Sequence, residues 1–158
     1  MNAKNYDLDN IDLQLLSLLM ADATIPYTEI GKKLFVSAST VHVRIKKMEG
    51  MGIIVNQQLV INPAKLGYDI TAFIGIYLEK SSLYDQVLEG LRQVREVVEV
   101  NYTTGVYSMF VKLICRDTNH LKEILHDKLQ KISGIQRTET FISLEESISR
   151  PILLLNDN

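Results

Sequence analysis

Between Asn62 and Asp69 the spacing of apolar residues changes from helical to largely alternating. Ahead of that stretch they recur at helical intervals in three short runs. Behind it, runs that alternate residue by residue are interleaved with helical ones. Pro63 and Gly67 stand in the change itself, in "NPAKLGYD", which reads as a linker. The pattern predicts two small domains, residues 1–62 and 70–158, joined by residues 63–69. A chain of 158 residues, 46% hydrophobic, has enough material for a core. Each half alone is marginal and gains from association.

In "LDNIDLQLLSLLMAD" (residues 8–22), Leu8, Ile11, Leu15, Leu18 and Leu19 share one helical face, and Asp7 or Asp9 caps the start. Pro26 cannot continue that helix. "YTEIGKKLF" forms a short second helix with Ile30 and Leu34 inward. Ser37 or Ser39 caps a third, which runs to about Glu49 and stops at "GMG". "GIIVNQQLVIN" reads as two short strands around Asn56–Gln57. Three helices and a hairpin match a winged helix-turn-helix.

Beyond the linker, "DITAFIGIYLE" puts Ile70, Ala72, Ile74, Ile76 and Leu78 on one strand face. "LYDQVLEGLRQV" is helical through Tyr84, Val87, Leu88, Leu91 and Val94. "VVEVNYTT" and "VYSMFVKLIC" are strands joined at Gly105. "NHLKEILHDKLQKI" is helical through Leu121, Ile124, Leu125, Leu129 and Ile132, and "IQRTETFISL" is a last strand. The order is βαββαβ, the ferredoxin-like split βαβ. The fold class expected is α+β.

The third helix has two unlike sides. At about 100° per residue, Ala38, Val41, Ile45 and Met48 cluster toward the core. Ser39, Val43 and Lys46 point away, flanked by Thr40, His42 and Lys47, with Ser37 at the helix start. The plain reading is a solvated face. Charge argues against it. From Lys32 to Lys47 stand five basic residues and no acid, in a chain whose net charge is −2. Such a local surplus suits a phosphate backbone. Ser, Thr and His hydrogen-bond base edges, and an exposed Val sits against a thymine methyl. The second helix of a helix-turn-helix enters the major groove. The expected DNA-contacting residues are Ser37, Ser39, Thr40, His42, Val43, Arg44, Lys46 and Lys47. Arg44 borders the core side, and either reaches a phosphate or pairs with a carboxylate of the first helix. Lys32 and Lys33 touch backbone phosphates at best. One module makes few contacts, so two half-sites and a dimer are implied. Exposed sheet edges in the second half could pair between chains. The apolar tail "RPILLLNDN" packs either on its own domain or against a partner chain.

Other classes find little support. The lone Cys115 permits no intrachain disulfide and suits a reducing compartment, where it reads as a small buried hydrophobe. "MNAKNYDLDNID" has no apolar leader, and no run approaches the roughly 20 residues of a membrane span. A soluble cytoplasmic protein is expected. His120 and His126 are six apart, off a common helical face, and read as surface residues. No phosphate loop, nucleophile elbow or paired-cysteine motif appears, so no cofactor, no metal and no enzyme activity are expected.

In their order and spacing, "NIDLQLLSLLMADA", "STVHVRIKKMEGMGII", "LGYDITAFIGI", "YTTGVYSMFVK" and "IQRTETFISL" resemble the Lrp/AsnC, or feast/famine, family of transcription regulators. The later motifs are most similar to its asparagine-responsive type. The resemblance implies an N-terminal winged helix-turn-helix for double-stranded DNA and a C-terminal βαββαβ amino-acid-sensing domain. It implies dimers that assemble further, commonly to octamers, with an effector bound between dimers and asparagine as first candidate. The family's effector loop falls on Tyr102, Thr103, Thr104, Gly105, Tyr107 and Ser108, with Gln136 and Thr138 across the same cleft. Backbone N–H groups around a glycine turn hold a carboxylate, and hydroxyls and an amide supply donors and acceptors. Without the resemblance, the loop reads as a plain hairpin turn with Gly105 at positive φ. Two positions depart from the family. Ser108 stands where many members carry Asp, which bears on ligand choice. Phe35 stands where Gly is common, and a bulky residue in a left-handed turn costs about 1–2 kcal/mol. Two alternatives are a ligand-independent architectural DNA binder and a tetrapyrrole decarboxylase of the same two-domain build.

Overall fold

Asp9 sets the first helix. Its carboxylate accepts the Asp12 N–H at 2.8 Å, and the Asp12 carboxylate accepts the Asp9 N–H at 3.2 Å. This reciprocal cap opens α1, Asn10–Ala21. The structure is a computed structural model that describes residues 7–155. Residues 1–6 and 156–158, the start of the stretch read as lacking a leader and the end of the apolar tail, lie outside the described residues.

After Pro26 comes α2, Tyr27–Leu34, and after a three-residue turn α3, Ala38–Gly50. Ser37 caps α3 by accepting the Thr40 N–H at 3.0 Å. The turn is tight. A β-carbon on Gly31 would stand 2.6 Å from the Val36 carbonyl oxygen, so glycine is needed there. Phe35 takes the left-handed conformation, φ 56° and ψ 40°, and is the sole non-glycine residue at positive φ among those described. Leu15, Leu16, Ile25, Ile30, Val41, Ile45 and Met48 form the core of this unit.

The expected hairpin around Asn56–Gln57 does not form. No strand occurs between Gly50 and Ile70. Two strands alone recover only one row of hydrogen bonds and have no sheet face to bury, and Asn56–Gln57 lacks the glycine that a two-residue turn favours. Val55, Leu59 and Val60 are left almost wholly exposed, Val60 at 93%. The domain is thus a three-helix helix-turn-helix followed by a segment without regular structure. In the expected linker, Pro63–Leu66 make a short 3-10 turn closed by left-handed Gly67.

The second unit is a four-stranded antiparallel sheet in the order β2-β3-β1-β4. Its strands are β1 (Ile70–Leu78), β2 (Val97–Tyr102), β3 (Met109–Cys115) and β4 (Ile135–Ile142). Helix α4, Tyr84–Arg92, and helix α5, Thr118–Glu123, complete the βαββαβ order. α5 continues through a wider π turn, Ile124–Lys128, and a 3-10 turn to Lys131. Ala72, Ile74, Ile76 and Leu78 of β1 meet Met109, Val111, Leu113 and Cys115 of β3, with Val87, Leu91, Ile124 and Leu129 from the helical side. The alternation read from the sequence is the alternation found. Burial pushes the Cys115 thiol up to about 11, leaving it an inert core group.

Two compact units result, Val60–Ser147 and the residues up to Leu59 joined by those from Ile148 onward. The sequence reading kept the tail with residues 70–158. In the structure Leu154 packs against the helix-turn-helix core.

Candidate functional site

The α3 face expected to touch DNA is built by what it turns inward. Val41, Ile45 and Met48 are buried. Ser39, His42, Val43, Lys46 and Lys47 are consequently exposed, Val43 at 65%. Thr40 is half-buried. Ser37 spends its oxygen on the cap and lies within 2.8 Å of both the Ser39 and Thr40 hydroxyls. The aromatic ring of Tyr27, at the start of α2, is 6.0 Å from the His42 ring. Sequence reading missed Tyr27, although a helix-turn-helix puts the start of its second helix beside its third.

Arg44 pairs with carboxylates at and near the start of the first helix, one of the two roles left open to it. Its Nη1 donates to Asp9 Oδ2 and to Asp12 Oδ1, both at 2.7 Å. Asp12 is 1% exposed, so this guanidinium is the counter-ion of a buried carboxylate. The Asp12 and then the Asp9 hydrogen bonds raise the Arg44 pKa. The Asp12 N–H and then Arg44 hold the Asp9 carboxyl below its ordinary value. The basic surplus is also smaller than the run Lys32–Lys47 suggests. Lys46 pairs with Glu49 at 2.7 Å and Lys33 with Glu29 at 3.2 Å. Among the described residues Lys47 reaches only the Asp7 carbonyl, at 3.4 Å. The acids lie just outside the run, one helical turn away or on α1. Exposed pairs of this kind are weak, so Lys33 and Lys46 exchange partners readily.

The loop expected to take an effector joins β2 to β3. The Thr103 hydroxyl donates to the Tyr107 carbonyl at 2.6 Å, and the Thr103 N–H to the Ser108 carbonyl at 3.1 Å. Ser108 anchors the far end, its N–H on the Ile76 carbonyl at 2.9 Å. Gly105 has φ 112° and open space where a side chain would be. Ile76 pairs with Met109 on one side and Thr138 on the other. Loop and last strand therefore flank β1 at one end of the sheet, about 10 Å apart. Gln136 and Thr104 are exposed.

The loop residues do not share one face. Tyr102 turns toward the helices, its ring 4.5 Å from Tyr84. Tyr107 turns to the opposite face, where its hydroxyl donates to Glu139 Oε2 at 2.8 Å and the Tyr77 hydroxyl donates to Oε1 at 3.0 Å. The Tyr107 hydrogen bond and then that of Tyr77 lower the Glu139 pKa, and Glu139 raises that of Tyr107. Arg137 lies 3.9 Å over the Tyr77 ring. Sequence reading missed this network and the aromatic residues beside it, Phe73, Phe110 and Phe141. The available signal was that the strand positions alternating with the core are aromatic rather than polar. His120, expected at the surface, is instead largely buried, its Nε2 3.3 Å from Glu96. The acid that draws it in is 24 residues away in the chain.

Residues 8–49 match the AsnC-type helix-turn-helix domain, and residues 71–153 match the Lrp/AsnC ligand binding domain. The regulatory protein AsnC of Escherichia coli K12 is 43% identical over 149 residues, 94% of this chain and 98% of that protein. AsnC of Haemophilus influenzae is 42% identical over 147 residues, 93% of this chain and 98% of that protein. The structure of Escherichia coli AsnC superposes with a TM-score of 0.89, covering 93% of this chain and 99% of that one. A feast or famine regulatory protein from M. tuberculosis, complexed with L-methionine, gives 0.85 at 25% identity, covering 92% and 99%. Fold and site define a helix-turn-helix regulator with an appended ligand-binding sheet domain. The chain belongs to the Lrp/AsnC family. It is a transcription regulator rather than an enzyme. Among the described residues no helix is long and apolar enough to cross a membrane.

Proposed function

We propose that this regulator reads operator DNA through the outer face of α3 and answers to an amino acid, asparagine first, bound at the Tyr102–Ser108 loop between dimers. The observation that carries the DNA reading is the division of α3. Its apolar residues close the core, and Ser39, His42, Val43, Lys46 and Lys47 are presented together at a face long enough to enter a major groove. Ser37, Thr40 and Arg44 support that face from behind. The DNA-reading part is assigned to residues 1–62 and the effector and assembly part to the sheet unit within residues 70–158, whose tail from Ile148 onward packs with the first unit. The working compartment is the cytoplasm.

Two observations support assembly. The sheet face away from the helices carries Phe73, Phe110 and Phe141 in one cluster, with Phe73 and Phe110 stacked at 5.7 Å. The irregular segment with Val55, Leu59 and Val60 leaves further apolar surface uncovered. A second copy buries both, and further association, to octamers, gives the open loop at Gly105 a second wall. The effector acts by binding one assembly state better than another.

Fluorescence anisotropy on the protein's own promoter region tests the DNA reading. Val43→Asp abolishes binding with the thermal transition unchanged; retained affinity would discredit the assigned face. Calorimetry with a panel of amino acids tests the effector. Asparagine gives heat that Gly105→Val removes while operator affinity is spared, and a panel without heat leaves an architectural DNA binder.

A further inference from the structure

At the end of the β2–β3 pair away from the Thr103–Ser108 loop lies a groove of about 450 Å³, a volume suited to a small organic molecule. From Val98 to Thr103 the strand runs roughly 16 Å, so the groove is separate from the effector loop. Its apolar walls are Leu66, Tyr68, Val98 and Ile114. Leu66, Tyr68 and Val98 are exposed on the surface of the Val60–Ser147 unit.

The polar groups of the groove are Arg95, Glu96, Arg116 and His120. Glu96 is already matched. Lys128 donates to its two carboxylate oxygens at 2.7 and 2.8 Å. The His120 Nδ1 accepts the Arg116 backbone N–H at 3.2 Å and the Arg116 Nε–H at 3.3 Å. A ring nitrogen taking two N–H donors carries no proton, so the imidazole proton sits on Nε2 and is directed at Glu96 Oε1, 3.3 Å away. The Nε bond fixes the Arg116 guanidinium and leaves both Nη groups without a protein acceptor among the described residues. Arg95 has no acidic partner among them either. Glu96 and Lys128 cancel, and two guanidinium charges remain beside an apolar wall.

A guanidinium takes a carboxylate through paired N–H donors. A ligand with one carboxylate and an apolar body satisfies both halves of the groove. The groove offers no free acid to an ammonium group, so the amino acid of the same skeleton is disfavoured. We propose that this groove is a second ligand site, for a small monocarboxylate with an aliphatic or aryl body and no ammonium group. It stands whether or not the effector loop binds an amino acid.

Titration calorimetry on the full chain tests it, with 3-phenylpropanoate and 4-methylpentanoate as probes and phenylalanine and leucine as their zwitterionic counterparts. The two carboxylates bind with a dissociation constant on the order of 1 mM or tighter, and the zwitterions compete at least about tenfold more weakly. Arg95→Gln weakens the carboxylates about tenfold, as does Arg116→Gln, each removing a charged hydrogen-bond donor. Thr104→Val, in the effector loop, leaves carboxylate binding unchanged. The Arg95 side chain bonds to nothing among the described residues, so Arg95→Gln remains decisive even if Arg116→Gln disturbs His120. No heat from either carboxylate, equal binding of the zwitterions, or binding that survives Arg95→Gln overturns the proposal. So does a change in oligomeric state in the arginine variants without carboxylate binding, which would make the groove a contact between chains.

Discussion

The ring of Tyr107 lies on Gly75. A β-carbon at Gly75 would stand 2.5 Å from two of the ring carbons. The missing side chain on β1 makes the bed for a residue 32 positions later, and the Glu139 carboxylate then holds its hydroxyl. The relationship ties the β2–β3 loop to the sheet. Gly75→Ala forces the ring out and costs about 1–3 kcal/mol, the usual scale of overpacking. In a Tyr107→Ser background the same substitution is nearly neutral. Unfolding midpoints of the four proteins in this cycle give the coupling, and additive losses would refute the contact.

The Tyr107–Glu139 bond also sets a pH window. Glu139 has a folded pKa below its ordinary 4.5. Its contribution is full above that value and is lost as pH falls through the lower folded one. Tyr107 has a folded pKa above its ordinary 10.0. Its contribution is full below that value and is lost as pH rises through the higher folded one. Thermal midpoints measured across pH should therefore fall at both ends, and Glu139→Gln should flatten the acid limb. An acid limb identical to that of the parent protein removes Glu139 from the account.

Arg44 is the counter-ion of Asp12, so Arg44→Met leaves a buried carboxylate unpaired. The expected loss is roughly 2 kcal/mol, below that of a fully buried pair because Arg44 stays partly in water. Adding Asp12→Asn recovers part of it. If Arg44 instead served a phosphate, Arg44→Met would lower the salt slope of DNA binding without moving the unfolding midpoint.

The α2–α3 turn makes opposite demands at two positions. Gly31→Ala drives a β-carbon against the Val36 carbonyl, a backbone atom with little room to move, and costs about 1–3 kcal/mol. Phe35→Asn relieves a left-handed conformation that Asn tolerates, and Phe35 is 96% exposed, so little packing is lost. A gain of up to about 1 kcal/mol follows, read from the denaturant midpoint. A loss on Phe35→Asn would mean that the ring makes a contact in the assembled protein.

Lys47 and Lys46 differ in their neighbours. Lys47→Ala removes a cation with no acidic partner among the described residues and lowers the salt slope by about 0.9. Glu49→Gln frees Lys46 from its 2.7 Å partner and tightens binding to all sequences alike. Anisotropy titrations at several salt concentrations separate the two, and a Glu49→Gln protein that binds no tighter argues that Lys46 faces away from the duplex.

Local periodicity determined most of this architecture. Leu15, Ile30, Val41, Ile45 and Met48 on the helices, and Ala72, Ile74, Ile76 and Leu78 on β1, are buried as their spacing requires, because burial follows directly from 3.6- and 2-residue repeats. The two caps were legible to a pair of candidates each, Asp7 or Asp9 and Ser37 or Ser39, because the groups they satisfy lie within three residues; the structure chose Asp9 and Ser37. The tertiary structure alone decided what depends on residues far apart. It gave Arg44 to Asp9 and Asp12, drew His120 to Glu96, laid Tyr107 on Gly75 and against Glu139, and returned Leu154 to the first core. It also left Val55 to Ile61 without regular structure, since a hairpin without a sheet to join has too little to bury. Charge pairing and close packing act through space, and a one-dimensional pattern carries no record of which distant side chain will arrive.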